Sequence, residues 1–430
     1  MASNITVKTQ PPEYSPVYNP INICVYESDA ASRAETNYKY IITVTTEGGD
    51  SDKWYVPLSP SSTLFYGWTD ISRMLEKFII QTLEPVAQDT GFVAAQEVGV
   101  IKYSISILSG WDVLGVFAED PDAVGAVTVS DLYTWGASFE HHDWIDQQNE
   151  TTPFNTWLCN ITNGTSALFL SDNPYFETRL TDLGRTNILT DTPADIDFLN
   201  LRVYDADGGA LGAYIISNPL GGTPTVNRLL SIATAAGSIN NINNSYISGG
   251  TQPLIGSDAA YYTLQLDKTG AGGTSSEILT VYLETDCRYE VYRLHFLNKL
   301  GSFDYFNFNS RNLKSTQVTR KTYTRNETKI ETDGISYANK DNGKSDYYVE
   351  YTDSLKLKSD YLTADQYTWL QQLVTSPQVY IEFTNTKGDK DFKPVYVTTN
   401  NWTEKVLDID KLFQLELNVS FGHMNQRQRR

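Results

Sequence analysis

Short runs of alternating apolar and polar residues dominate this chain, and such runs predict β-strands. Residues 21–26 and 38–46 are rich in β-branched and aromatic side chains, and Gly48 and Gly49 supply a turn before residues 54–56. The pattern therefore predicts a strand followed by a β-hairpin. Further runs predict strands at residues 98–108, 278–283, 289–297, 303–308, 321–335, 347–357, 378–383, 394–399 and 411–419.

Two segments show the three- and four-residue spacing of an amphipathic helix. The first spans residues 70–83, with Thr69 or Asp70 as its N-cap. The second begins with a capping-box pattern from Thr363 to Gln366 and is stopped by Ser376 and Pro377. The apolar stripe of the first helix consists of Ile71, Met74, Leu75, Phe78, Ile79 and Leu83. That of the second consists of Tyr367, Leu370, Leu373 and Val374.

In other segments, prolines, turn-forming residues and the strength of the periodicity predict the structure. Residues 11–20 hold four prolines, which favour an extended arm. Residues 111–155 have weak periodicity and are expected to form long loops with short elements. Between residues 155 and 265, short apolar segments separated by turn residues favour an all-β sandwich, with a surface loop at 237–250. In residues 303–308 aromatic and polar residues alternate, so one aromatic set is expected to point inward.

Together these patterns predict a mainly β protein with β-sandwich or barrel-like domains, two short amphipathic helices and an extended N-terminal arm. We place this arm at residues 1–20, an N-terminal β-rich domain with one helix at 21–155, a central β-sandwich-like domain at 156–310, and a C-terminal β domain with one helix at 311–430. The pattern leaves open whether the central section is an independent domain or an insertion.

The balance of acidic and basic residues changes at one point along the chain. The 430 residues include 33 basic and 52 acidic ones, a formal charge of −19, which argues against a protein that coats nucleic acid. Residues 1–310 carry 15 basic against 36 acidic residues, and residues 311–430 carry 18 against 16. The change supports the boundary near Arg311, and a nearly neutral part beside an acidic one suits docking between subunits.

No apolar run reaches the roughly 18 residues of a membrane span, and the first ten residues are polar. We therefore expect neither a secretory start nor membrane insertion. Cys24, Cys159 and Cys287 are too far apart for a disulfide framework or a zinc site, so they are expected to act as small buried hydrophobic residues.

Candidate chemistry is sparse. The adjacent His141 and His142 are poorly placed to share a metal ion on an extended segment, so a polar loop is the better interpretation. Residues 204–209 begin like a calcium loop but lack its distal ligands, which favours an Asp-Gly hairpin turn. No Gly-x-Ser-x-Gly nucleophile elbow is present, and paired carboxylates cannot be selected among so many acids. We assign no catalytic, cofactor-binding or metal-binding residues, and predict that the chain is not an enzyme.

Aromatic residues offer a second kind of site. Tryptophan and tyrosine side chains can stack on sugars, but they more often fill cores or subunit contacts. We favour the core or subunit-contact role for these residues while keeping sugar binding as the alternative. The residues concerned are Trp54, Tyr66, Trp68, Trp111, Trp135 and Trp144.

Three stretches of the sequence together resemble a known family. They are residues 14–21 (Tyr-Ser-Pro-Val-Tyr-Asn-Pro-Ile), residues 287–304, which contain Arg-Leu-His-Phe-Leu-Asn-Lys-Leu-Gly-Ser, and residues 362–382. The chain is similar over most of its length to virion structural proteins of tailed bacteriophages that infect Bacteroidetes, including the crAss-like group. These proteins form rings of the tail or neck, and the matching motifs are structural.

The resemblance implies a structural subunit that forms a homo-oligomeric ring, connects parts of the virion and lets DNA pass without binding it specifically. Its partners would be copies of itself in a cyclic ring and neighbouring tail or portal proteins, with no membrane insertion and no cofactor. It would lie in the virion tail or neck, and in the host cytoplasm during assembly. We expect subunit contacts from both chain ends, which are costly to order without a partner. The contact candidates are Tyr14, Pro16, Tyr18, Arg427, Arg429 and Arg430.

The rival function is a carbohydrate- or receptor-binding module of the tail, which would use the loop at residues 240–250 and exposed tryptophans. Copy number separates the two, because a ring predicts a cyclic assembly, whereas a binding module is stabilised by its glycan. The sequence does not give the copy number, the neighbouring proteins, the position in the tail or the host.

Overall fold

The computed structural model describes residues 4–58, 65–83, 89–94, 99–120, 126–159, 168–190, 196–220, 228–268, 276–284, 288–325, 328–337, 343–399, 413–422 and 425–426. Strands account for 51% of the described residues and helices for 11%. The prediction of a mainly β protein with several sheets and few short helices is confirmed.

The strands of the first half are β1 (Ile5–Thr9), β2 (Tyr14–Pro16), β3 (Asn22–Glu27), β4 (Lys39–Thr46), β5 (Ser51–Pro57), β6 (Tyr66–Asp70), β7 (Phe92–Ala94), β8 (Val100–Val113), β9 (Val116–Glu119), β10 (Val127–Trp135), β11 (Leu158–Cys159), β12 (Phe176–Thr178), β13 (Arg185–Thr190), β14 (Phe198–Tyr204) and β15 (Ala210–Ser217). Those of the second half are β16 (Leu229–Ala233), β17 (Ile247–Ser248), β18 (Tyr261–Asp267), β19 (Leu279–Leu283), β20 (Tyr292–Leu297), β21 (Phe303–Phe308), β22 (Leu313–Arg325), β23 (Lys329–Glu331), β24 (Gly334–Ser336), β25 (Gly343–Lys358), β26 (Val379–Thr384), β27 (Lys390–Val397), β28 (Glu416–Phe421) and β29 (Asn425–Gln426). The helices are α1 (Ala30–Arg33), α2 (Ser72–Glu76), α3 (His141–Gln148), α4 (Ala236–Asn240), α5 (Ala364–Trp369) and α6 (Gln371–Thr375).

The chain divides into two compact units. Unit 1 comprises Met1–Asp172, Thr178–Leu283 and Asn298–Asp304, and unit 2 comprises Asn173–Glu177, Glu284–Leu297 and Tyr305–Arg430. Unit 1 contains 13 basic and 32 acidic residues, and unit 2 contains 20 of each. The formal charges are therefore −19 for unit 1 and zero for unit 2.

Unit 1 holds several sheets. Their strand orders are β1-β3-β6, β2-β10-β8-β4-β5 with β9 paired to β8, β11-β13-β16-β7, and β19-β18-β14-β15-β17. The predicted hairpin is β4 and β5, which pair antiparallel around the turn at Gly49 (φ +86°), where glycine adopts a conformation that other residues resist. Of the short apolar segments predicted between residues 155 and 265, those at 157–160, 196–203, 211–216 and 261–266 overlap with β11, β14, β15 and β18. The described residues 168–170 of the remaining segment form no strand, and β13 and β16 were not predicted.

The first residues of the chain are built into unit 1. Strand β1 pairs antiparallel with β3, and β2 pairs in parallel with β10. The expected extended arm at 1–20 is thus corrected, because described residues 4–20 contribute strands and buried side chains rather than a separate extension. Pro16 fits in β2 because this is a short strand at the end of its sheet, where a missing N–H group is tolerated.

Two loop predictions and one prediction about a strand also need correction. Residues 111–155 contain the nine-residue strand β10 and the helix α3, and β10 escaped notice because its last four residues are all buried. The segment 237–250 begins inside the buried helix α4, where Gly237 packs closely against the backbone of Asp182. All six residues of β21 are buried, so its polar residues do not form a solvent-facing side.

The first predicted helix is shorter than its apolar pattern suggested. Helix α2 spans only Ser72–Glu76, although Ile71, Met74, Leu75 and Ile79 are buried as expected. Beyond it, Gln81 donates hydrogen bonds to the carbonyl oxygens of Gly136 and Gly301, at 2.6 and 3.2 Å. These tertiary contacts hold this part of the chain in a non-helical conformation.

Unit 2 is built on one large sheet with the order β21-β20-β26-β27-β28-β25-β22, and β29 pairs with β25. The predicted capping box is confirmed, since Thr363 Oγ1 accepts from the Gln366 backbone at 3.2 Å and Gln366 Oε1 accepts from the Thr363 backbone at 3.0 Å. Helices α5 and α6 place Trp369, Leu370 and Leu373 in the core of this unit. No helix in the described ranges is both long enough and apolar enough to cross a membrane.

Candidate interaction surface

The longest exposed strand among the described residues is β22, which pairs with β25 in a hairpin that we call the arm (residues 313–358). The two strands pair from Leu313 with Lys356 to Arg325 with Gly343. Twelve of the 13 residues of β22 are exposed, and β22 is the last strand of its sheet. A strand of this length extends about 43 Å at roughly 3.3 Å per residue. The arm therefore presents a long open strand edge, which is a template for pairing with another chain.

Within the described part of the chain, the rest of the sheet pairs only with the base of the arm. Strand β28 pairs with β25 at Ser354–Lys358, and β29 pairs with it at Glu350 and Tyr351. Among the described residues, the segment 343–349 pairs with β22 alone. Two-stranded ribbons are marginally stable in water, because they bury too little apolar surface to offset chain entropy. This half of the arm is consequently expected to gain order from a partner.

Exposed apolar side chains occur on the two long strands of the arm and on the segment that joins them. Between the ends of its two strands, β23 and β24 form a second small hairpin in which Ile330 pairs with Ile335. These side chains are 85% and 60% exposed, and Tyr337 is 72% exposed. Such exposure is unusual for large apolar residues grouped together, and it marks interaction surfaces. The other exposed apolar residues of the arm are Leu313, Val318, Tyr323 and Tyr347.

The charges of the arm are distributed unequally between its strands. Strand β22 carries Lys314, Arg320, Lys321 and Arg325 and no acidic residue. The acids that oppose two of these cations lie on β25, where Asp346 is 2.7 Å from Arg320 and Asp353 is 3.7 Å from Lys314. Every charged residue of the outer strand is therefore basic, and two of the four are paired with acids of β25.

A buried ionic cluster lies in the same sheet, around Glu382 on β26. His295 Nε2 lies 3.5 Å and Arg293 Nε 3.6 Å from Glu382 Oε2, and Lys390 Nζ lies 2.7 Å from Oε1. Burial by itself raises the pKa of the Glu382 carboxyl, but the His295 hydrogen bond and the nearby positive charges hold that pKa below its ordinary value. Arg293 also donates to Asn307 Oδ1 at 2.8 Å and stacks on Tyr305. The cluster fastens β20, β21, β26 and β27 together.

A second group in unit 2 contains three carboxylates. Burial, together with the negative charges of Glu284 and Asp360, raises the pKa of Glu177 to about 7. Glu284 accepts hydrogen bonds from Asn307 and Asn309, at 3.2 and 2.6 Å. This arrangement makes Glu177 sensitive to pH near neutrality.

The predicted subunit-contact residues differ in their exposure to solvent. Tyr14 and Pro16 are buried in unit 1, where Tyr14 stacks on Tyr133 at 5.1 Å and accepts a hydrogen bond from Arg228. Tyr18 is 46% exposed and is the one of these three that offers surface. Arg427, Arg429 and Arg430 lie outside the described residues.

The adjacent histidines begin the helix α3 instead of lying in a loop. His142 is 3.1 Å from Asp143 and 3.7 Å from Glu140. One ligand atom from each of these three residues falls within 4.8 Å of the others, but Glu140 and His142 are exposed. Exposed acids commonly group in this way without an ion, so we assign no metal site here.

The calcium-like segment forms the predicted hairpin turn. The Asp205 carboxylate accepts from the backbone N–H groups of Asp207 and Gly209, at 3.0 and 2.7 Å, and Gly208 has a φ of +81°. These bonds give the carboxylate a structural role in joining β14 to β15.

The aromatic candidates divide into buried and exposed sets. Trp111 and Trp135 are 8% and 1% exposed and belong to the core, as the favoured interpretation had it. Trp54 and Trp68 are 51% and 63% exposed. Of the cysteines, Cys159 is buried and Cys24 is half-buried, whereas Cys287 lies outside the described residues.

The arm is the feature that sequence reasoning did not recognise as a site. The predicted strand at 347–357 lies within β25, but the one at 321–335 covers only the last five residues of β22 and otherwise falls on β23 and β24. Alternation in both segments implied one buried side. The sequence feature that could have indicated an exposed hairpin is the composition of β22 and β25, which are long, polar and rich in threonine and tyrosine. Such composition is atypical of strands that cover a core.

Comparison with known proteins adds little. No protein-family model matches the chain, and no curated protein matches it. Among solved structures it is similar to a tetra-tandem repeat in the extending region of a large adhesion protein, with 8% identity over 96% of this chain and 90% of that chain. The TM-score of 0.18 is too low to indicate a shared fold.

Proposed function

We propose that this chain is a structural subunit of a bacteriophage tail or neck that assembles with copies of itself into a ring. The observation that supports self-assembly is the arm. Its segment 343–349 pairs with β22 alone among the described residues, and Ile330 and Ile335 are exposed. The assignment to a phage rests on the resemblance of the three sequence stretches. A ring subunit acts through shape and contact, so it requires no catalytic residue.

The acidic charge fits the passage of DNA through such a ring. Unit 1 carries a formal charge of −19, and a surface of that charge repels the phosphate backbone. DNA would then pass without adhering.

The direct test is the assembly state of the purified chain by mass photometry and negative-stain imaging, at low and at high salt. A closed ring, or cyclic species of fixed copy number, is the expected result. A strictly monomeric chain at all concentrations and salt conditions would contradict the proposal.

A carbohydrate- or receptor-binding module is the second candidate, favoured by the exposed Trp54 and Trp68. A glycan array followed by thermal unfolding tests it. Binding that raises the unfolding temperature, and that is lost in Trp54→Ala or Trp68→Ala, would support this candidate over the ring.

A further inference from the structure

Unit 1 carries an apolar turn of its own at the end of the β8–β9 hairpin. We call Val113, Leu114 and Val116 the apolar turn; their side chains are 40%, 102% and 69% exposed. Close by, Tyr55 packs edge-on against Phe117 at 5.6 Å, so the turn continues into aromatic surface. A fully exposed leucine between two exposed valines is not explained by packing within unit 1.

The backbone of this turn makes the leucine more unusual. Leu114 has a φ of +54° and Gly115 a φ of +83°, the pair of left-handed residues that a tight hairpin requires. Leucine is disfavoured in that conformation because its Cβ crowds the backbone, whereas asparagine or glycine adopts it readily. The chain therefore keeps an apolar side chain where both solvent and backbone disfavour it. Strain of this kind points to a contact with a partner.

The formal charges of unit 1 and of β22 indicate which surface of another copy would contact the apolar turn. A contact between two copies of unit 1 would join two units of formal charge −19, and a contact between two β22 edges would join two strands whose charged residues are all basic. The contact that joins unlike charges is between β22, with four basic and no acidic residues, and unit 1 of another copy.

The geometry points to a head-to-tail contact in which the arm of one copy docks on the apolar turn of unit 1 of the next copy. This inference rests on the proposed self-assembly and specifies how it occurs. Ile330 and Ile335 would pack against Leu114 and its neighbours, while β22 faces the acidic unit. Because the two contacting surfaces differ, each copy keeps one of each free, and repetition closes into a ring when the rotation between copies allows it.

Complementation between two variants tests this contact. The arm variant is Ile330→Asn with Ile335→Asn, and the turn variant is Leu114→Asn, which suits the left-handed conformation and should fold at least as well as the parent chain. Ile278→Asn is the matched control, since Ile278 is also 60% exposed but lies outside both surfaces. Thermal unfolding first verifies that each variant is folded.

We expect each defective variant alone to associate at least tenfold more weakly than the parent chain. An equal mixture of the two should form one-to-one dimers and nothing larger, because only one productive contact remains. The control should assemble like the parent. Normal assembly by the turn variant alone, or dimers of it formed through its arms, would overturn the head-to-tail contact while leaving self-assembly intact. A monomeric parent chain would refute self-assembly itself, and the inference with it.

Zero-length crosslinking supplies an independent readout on the parent chain. Assemblies of mixed light and nitrogen-15-labelled chains should give heavy-to-light crosslinks between Lys314 or Lys321 and carboxylates of unit 1. Crosslinks confined to two arms would contradict the inference.

Discussion

Ile330 and Ile335 face each other across a two-residue turn, and both lie largely in solvent at 85% and 60% exposure. A cross-strand apolar pair normally stabilises a sheet by covering one of its sides. Here the pair is presented outward, between the ends of the arm, where it contributes more to association than to folding.

Replacing the pair with asparagine should therefore separate assembly from stability. We expect Ile330→Asn with Ile335→Asn to change the free energy of unfolding by less than about 0.5 kcal/mol, as for other exposed sites. Sedimentation velocity should show loss of the oligomer at concentrations where the parent chain assembles. Unchanged sedimentation would show that the pair is not a contact.

Hydrogen exchange should distinguish the two halves of the arm. In the unassembled chain we expect rapid exchange of amides in 343–349, which pair with β22 alone, and slow exchange near Leu355 and Leu357, which lie in the core. Assembly should slow the first set and leave the second unchanged. Slow exchange throughout 343–349 in the monomer would mean that the ribbon is stable without a partner.

The stability of unit 2 should depend on Glu177. Its folded-state pKa of about 7 lies above the unfolded value, so the folded state holds a proton that the unfolded state has lost. The free energy of unfolding should therefore fall as pH rises from about 4.5 to 7, by at most about 3 kcal/mol from this group.

Glu177→Gln should remove that part of the pH dependence, so that the variant gains stability relative to the parent as pH rises towards 8. Urea unfolding at several pH values measures it, and Glu290→Gln, at an exposed site of unit 2, is the control. A parallel pH profile for Glu177→Gln and the parent would contradict the assignment.

Removing Glu382 should destabilise unit 2 much more than removing an exposed acid. Glu382→Gln leaves Arg293 buried without its anion, which typically costs about 3–5 kcal/mol. Glu416, whose side chain is 51% exposed and lies 2.8 Å from Lys356, is the contrast, and Glu416→Gln should cost less than about 1 kcal/mol.

Denaturant midpoints at pH 7 measure both changes. Because the pKa of Glu382 is lowered on folding, its contribution should also disappear as pH falls through that lowered value. Equal effects of the two substitutions would show that the buried cluster does not fasten the sheet.

Features set by neighbouring residues were predictable from sequence. The capping box from Thr363 to Gln366 needs only a side chain and a backbone group three residues apart. The turns at Gly49 and Gly208 need only residues that tolerate positive φ. Alternation likewise gave the mainly β class, since it reflects the two-residue period of a strand.

Features set by distant residues were not predictable. Tyr14 is buried because β10, more than a hundred residues later, pairs with β2. Glu382 has a lowered pKa because the sheet brings β20 beside β26.

The arm shows the same division most clearly. Sequence alone predicted extended structure for residues 347–357 of β25 and for the last five residues of β22, because backbone preference is local to each strand. Only the tertiary structure decided that β22 is an edge strand and that Ile330 and Ile335 are exposed. Burial depends on which surfaces pack together in the folded protein. An alternating sequence pattern is the same whether its apolar residues face the protein core or lie on a surface that binds another chain.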